Sequence, residues 1–263
     1  MSDDRPGRER AHFEDVLERH GTLYWAERTA AGRVRRDLRS ALLTAATGLA
    51  ADPNARVLEL GCGTGEFTRP MARVTRARLV AVDVTPPLLA HARLDLPPNA
   101  TVLAADVERL PFADASFDAV VGNAVLHHLR LDRAVPEVLR VLRPGGHFCF
   151  AEPNMLNPQV FLERNVRWIG RWLDNSPDET AFLRWRLARE LGRHGLVDVR
   201  VRPFDFLYPL TPASLIRPIE KLGRFLERLP GVREIAGSLF VVARRPPHRD
   251  PRSDPRADTR SDT

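Results

Sequence analysis

An α/β fold, a mostly parallel sheet covered by helices on both faces, is what the sequence predicts, and three observations carry it. Short β-branched runs alternate with helical periods from residue 56 to residue 152. The first run, Val57-Leu58-Glu59-Leu60, passes straight into a turn with glycine at alternate positions, Gly61-Cys62-Gly63-Thr64-Gly65. Acids close the next two runs, Asp83 and Asp106, and open α/β sheets bind ligands beyond such strand ends.

The elements follow in order. Residues 1–10 are charged and are expected to be disordered. His12 to about Leu49 reads as one or two amphipathic helices carrying Tyr24-Trp25, ended by Asp52-Pro53. Strands are then expected at 56–60, 79–83, 101–105, 117–123 and 147–152, with helices at 66–74, 86–94 and 131–142 between them. Pro144-Gly145-Gly146 is expected to stop the last helix and turn the chain into its strand. After Glu152 the pattern changes. Asn157 to Leu173 is apolar and tryptophan-bearing, and Asp178 to His194 has helical period. Strands are expected at 197–206 and 239–244, around a helix from Thr211 to Leu229 opened by Thr211-Pro212. Two late strands parted by a helix suggest an antiparallel edge. From Arg245 onward Pro, Arg, Asp and Ser dominate, so a disordered tail is expected. The domains so drawn are a disordered start (1–10), a helical lid (11–50), a core (51–152), a substrate-side insert with closing strands (153–244) and the tail (245–263).

Composition narrows the setting. At 263 residues with 43% hydrophobic content, the chain suits one domain with a cap. No apolar run approaches the ~20 residues of a membrane span, and the charged start lacks the apolar core of a secretory signal. Two cysteines, Cys62 and Cys149, expected in core or loop positions, fit a reducing, cytoplasmic setting. The net charge of +6 is almost all arginine, with Lys221 the one lysine. Those arginines are interleaved with acids, so the sequence shows no nucleic-acid stripe.

The strand ends supply the candidate site. A carboxylate at Asp83, a little over twenty residues past the glycine turn, can accept both hydroxyls of a ribose; capping the helix at Pro86 is the alternative. Asp106 can accept from an adenine amino group while Val107 packs on the ring, or can cap the following turn. Asn123 and the paired histidines His127 and His128 follow the fourth strand. Adjacent histidines point in different directions and no further ligands stand beside them, so no metal is expected. One of the two facing an acceptor as general base competes with helix packing or capping.

Taken as a set, the glycine turn, Asp83, Asp106, the 123–129 segment and Val141-Leu142-Arg143-Pro144-Gly145-Gly146 resemble class I S-adenosylmethionine (SAM) dependent methyltransferases, the type 11-like branch. The resemblance covers residues 56–152. It implies a Rossmann-like seven-stranded sheet, mostly parallel with an antiparallel last strand and helical cap insertions, and SAM as cofactor. It implies that Gly61, Cys62, Gly63 and Gly65 approach the amino-acid part of SAM, with Glu59 near its amino group. Asp83 and Val84 would take the ribose, Asp106 and Val107 the adenine, and Asn123 the methionine end. Tyr24 would sit in a lid over the cofactor.

The acceptor side is expected to include Glu152, Asn154 and Trp168. Their alternatives are turn chemistry and cap core. An aromatic set in the insert suits a small or lipid-linked acceptor, with oxygen favoured over carbon or nitrogen as the methylated atom. The 215–229 helix, apolar on one face and basic on another, offers peripheral membrane contact. An RNA-modifying enzyme is the runner-up, opposed by Asn123-Ala124-Val125-Leu126 standing where base amino methylation would want N-P-P-aromatic. A nicotinamide dehydrogenase is opposed by Glu66 at its third glycine position. The sequence leaves the oligomeric state open.

Overall fold

A computed structural model describes residues 4–21, 28–176 and 179–247. Seven strands form one sheet: β1 (Arg56–Leu60), β2 (Arg78–Asp83), β3 (Ala100–Ala104), β4 (Phe117–Asn123), β5 (Leu142–Pro153), β6 (Val197–Phe204) and β7 (Ser238–Arg244). Their order is β3-β2-β1-β4-β5-β7-β6; β7 pairs antiparallel with both β5 and β6, and every other pairing is parallel. The order reverses at β1, which lies between β2 and β4. That reversal opens a crevice beyond the carboxyl ends of β1 and β4.

Alternation along the strands divides the core. On one face Leu58, Leu60, Val120, Phe148 and Phe150 meet α5 (Leu131–Val141) and α8 (Arg184–Arg193). In α5 the residues Leu131, Ala134, Val135, Val138 and Val141 are buried, a helical stripe turned onto the sheet. On the other face Val57, Ala119, Val121 and Cys149 meet Leu43 of α2 (Ala30–Thr47) and Met71 of α3 (Thr68–Val74). Helix α4 (Pro86–Ala92) follows β2. Beyond β5 the cap holds α6 (Pro158–Asn165), α7 (Arg167–Trp172) and α9 (Ala213–Leu226).

Four sequence expectations need correction. Residues 5–10 are helical, because α1 (Arg5–His20) starts at Arg5 with Asp4 capping Gly7 N–H at 3.1 Å. Charged residues there read as solvated, yet Glu9 is buried against His128. Strand β5 begins at Leu142 and runs through Pro144-Gly145-Gly146, since Gly145 and Gly146 exchange backbone hydrogen bonds with Arg245. Its register on β4 jumps from Phe117↔Leu142 to Ala119↔His147, so the glycines form a bulge instead of a turn. The same pairing ties down Arg245, where the tail was expected to begin. Helix α8 starts at Arg184, not 178, because Phe182 is held extended by backbone bonds to Pro153 and Met155.

Candidate active site

The glycine turn builds one wall of a cavity of about 740 Å³. Gly61 has φ +66°, and a Cβ there would lie 2.6 Å from Val125 Cγ2. Gly63 has φ +52°, lines the cavity, and a Cβ would meet nothing within 4 Å. The loop is thus open at Gly63 for a ligand to reach the main chain. Asp83 closes the turn: Oδ2 accepts from Gly63 N–H and Oδ1 from Thr85 N–H, both at 2.9 Å. Each carboxylate oxygen retains accepting capacity, and Asp83 lines the cavity with Val84. Further along the same wall stand Asp106, whose Oδ1 accepts from Glu108 N–H at 2.9 Å, the buried Val107, and Asn123. Cys62 also lines it, and burial pushes its thiol well up, so it is no nucleophile.

Beneath the loop Glu59 is fully enclosed, and its Oε2 has no hydrogen-bond partner among the described residues. Burial, with help from the Asp83 carboxylate, lifts its pKa to about 7. Acceptors at 83 and 106, an open glycine and a buried carboxyl with one unpartnered oxygen behind it fit a ligand with a sugar diol, an adenine and an amine. A nucleoside sulfonium amino acid has these groups.

Ala124, which follows β4, sits at φ +52°, a left-handed conformation that costs a non-glycine residue about 1–3 kcal/mol. Glu152 of β5 holds this bend. Its Oε1 accepts from Val125 and Leu126 N–H at 3.0 and 2.9 Å, and its Oε2 pairs with His127 Nδ1 at 2.7 Å. On the far side His127 Nε2 lies 3.3 Å from Glu179 Oε1. Burial opposes a charged imidazole, but the bonds to Glu152 and Glu179 outweigh it and raise His127 to about 9. His127 is therefore a buried imidazolium at neutral pH. His128 is the reverse: burial and repulsion from His127 lower its pKa, and Glu9 Oε2 lies 3.0 Å from its Nδ1. His128 Nε2 makes no hydrogen bond to a described residue. Arg5, one helical turn before Glu9, donates to the His127 carbonyl at 2.8 Å and fixes α1 across the site.

The two rings are 4.1 Å apart, so the adjacent histidines do not diverge as expected. Their 3-10 turn (Leu126–His128) puts both on the cavity. Donor atoms of His127, His128 and Glu179 fall within 4.8 Å of one another. A cation there would have to displace the His127 proton and Arg164, which lies 2.5 Å from Glu179. The cluster is already neutralised by its own charges.

Opposite the sheet, α2 supplies basic groups to the cavity. Arg35 and Arg39 converge on the buried Asp205 at 2.7 and 3.1 Å, and Arg39 also donates to Asn123 Oδ1 at 3.1 Å. Burial, then repulsion from Arg35, brings Arg39 down to about 10.

Glu59 keeps its expected place behind the loop, off the cavity wall itself. Several expected site residues lie elsewhere. Gly65 leaves the wall: its Cα faces α4, where a Cβ would lie 3.3 Å from Ala92, so it serves helix packing. Glu152 and Asn154 are buried scaffolding, the latter donating to the carbonyls of Glu234 and Ala236. Trp168 is 68% exposed on α7, away from the cavity. Tyr24 and Trp25 lie outside the described residues. Missed altogether were Glu9, Glu179 and the Arg35–Arg39–Asp205 cluster. A signal existed for the first: Arg5, Glu9 and Phe13 recur every four residues, one face of a helix.

The site is a nucleoside-cofactor crevice at the switch point of a seven-stranded sheet with a reversed last strand. Residues 58–150 match the family model described as a methyltransferase domain. A Schizosaccharomyces pombe methyltransferase-like protein is 28% identical over 68% of this chain and 68% of its own. The malonyl-[acyl-carrier protein] O-methyltransferase of Methylococcus capsulatus is 32% identical over 65% of this chain and 62% of its own length. A Thermotoga maritima SAM-dependent methyltransferase shares the fold at TM-score 0.62 and 18% identity, over 89% of this chain and 98% of that one. Residues 58–150 are therefore similar to a methyltransferase domain, and the fold is the one shared with SAM-dependent methyltransferases.

Proposed function

We propose that this enzyme methylates an oxygen atom of a small or lipid-linked acceptor, with His128 as general base. The observation that carries the reading is the split of the two histidines: one imidazolium locked between Glu152 and Glu179, and one neutral imidazole on the cavity wall. SAM supplies an electrophilic methyl group, so the protein need only align a nucleophile and exclude water. A hydroxyl acceptor must lose its proton as the new O–CH3 bond forms, and His128 Nε2 is the group available to take it. The Glu9 carboxylate, 3.0 Å from the opposite nitrogen, would stabilise the imidazolium that results by its charge. The loop Gly61–Gly63 with Asp83, Asp106 and Val107 would hold the cofactor, and Asn123 its methionine end. Oxygen as the acceptor atom is also what the Methylococcus relative's name states for that protein.

The test is S-adenosylhomocysteine release over a panel of phenols, enols and lipid-linked alcohols. His128→Gln should lower kcat about 100-fold and leave SAM affinity by calorimetry unchanged. Undiminished turnover would reject the base; a wild-type preference for amines would reject oxygen.

A further inference from the structure

The outer face of α9 carries a surface that the site does not use. Leu215, Pro218, Leu222 and Phe225 recur at three- and four-residue spacing and form one exposed stripe. Leu222 and Phe225 are 54% and 56% exposed. Beside that stripe runs a second, Arg217, Lys221, Arg224 and Arg228, also exposed. None of these four cations pairs with an acid among the described residues. The helix's own acids, Glu220 and Glu227, are partly buried, and Glu227 is engaged by Asp205 N–H at 2.9 Å. The inner face, Ile216 and Gly223, is what packs on the protein. Apolar exposure continues into Val232 and Ile235 of the next turn, whose Ile235 carbonyl is held by Asn157 at the start of α6.

An isolated exposed leucine means nothing. A full apolar stripe alongside unpaired cations is the pattern of a helix lying in a lipid headgroup layer. We infer that α9 docks the enzyme on an anionic lipid bilayer, its Leu222–Phe225 stripe entering the interface and its basic stripe facing lipid phosphates. The position matters for the chemistry. Gly223 lies against Phe206, where a Cβ would come within 3.2 Å, and the 206–210 segment lines the cavity. Helix α9 is thus the outer layer of the cavity wall at 206–210, and docking brings the bilayer beside that wall. An amphipathic acceptor resident in that bilayer follows, and this last step rests on the methyltransferase reading above.

The test is co-sedimentation of the full chain with vesicles of phosphatidylcholine alone or mixed with phosphatidylglycerol. Binding should require phosphatidylglycerol and weaken with salt. Phe225→Ser and Leu222→Ser should each lower partitioning roughly tenfold or more. The triple variant Arg217→Gln, Lys221→Gln, Arg224→Gln should lower it on the order of a hundredfold, about fivefold per charge. All variants should keep the wild-type circular dichroism and SAM affinity. Absence of vesicle binding, or binding unchanged by Phe225→Ser, overturns the inference. So does a dimer in light scattering that Phe225→Ser breaks while vesicles remain unbound, since a second copy would then own the stripe. Failure of SAM to bind would instead overturn the enzyme reading and leave the vesicle result standing.

Discussion

Replacing Glu152 by glutamine separates the shape of the loop after β4 from its charge. The amide oxygen of Glu152→Gln can still accept from Val125 and Leu126 N–H, so the bend at Ala124 keeps its support. What is lost is the negative partner of His127. An imidazole raised from 6.5 to about 9 contributes roughly 3 kcal/mol to stability, most of it still present at pH 7. Glu152 makes the shorter of the two bonds, 2.7 Å against 3.3 Å, so roughly 2 kcal/mol should disappear with it. Because the folded pKa is raised, the contribution is complete below about pH 6.5 and fades as pH climbs through about 9. Urea unfolding at pH 6, 7 and 9.5 should therefore show a deficit that shrinks with pH, and melting at pH 7 should fall by roughly 4–8 °C. An equal deficit at every pH, or none, would refute the buried imidazolium.

The same charge bears on catalysis. Since repulsion from His127 helps depress His128, the acid limb of kcat should lie below pH 6.5, and Glu152→Gln should move it upward. A limb unmoved in that variant would separate the two rings electrostatically. The glycines divide by location. Gly63→Ala should weaken SAM binding at least tenfold in calorimetry at a strain cost of about 1 kcal/mol, because its methyl enters the cavity. Gly65→Ala should cost more stability and less affinity, since it meets Ala92 and not the ligand. Asp205→Asn leaves two arginines facing each other without a counter-charge and should destabilise by about 3–5 kcal/mol; a melting point near wild type would contradict that.

Strand positions, the glycine turn and the acids at 83 and 106 were legible because each is a local property: two-residue alternation, positive φ, a carboxylate at a strand end. The reversed final strand was legible too, from two late strands parted only by a helical insert. What needed the folded chain were pairings across large sequence distances. Glu9 and His128 are 119 positions apart (128 − 9), and no period in either segment announces the other. Glu152 sits at a strand end like Asp83, so pattern alone assigned it to the acceptor; only its enclosure behind Val125 and Leu126 shows it as support. Trp168 erred in the opposite sense, because an aromatic in an apolar segment reads the same whether its helix faces the cavity or solvent. Local rules specify the backbone that a strand or turn can adopt. Which charge meets which, and hence which histidine stays neutral, is decided by burial, and burial is a property of the assembled sheet and its cap.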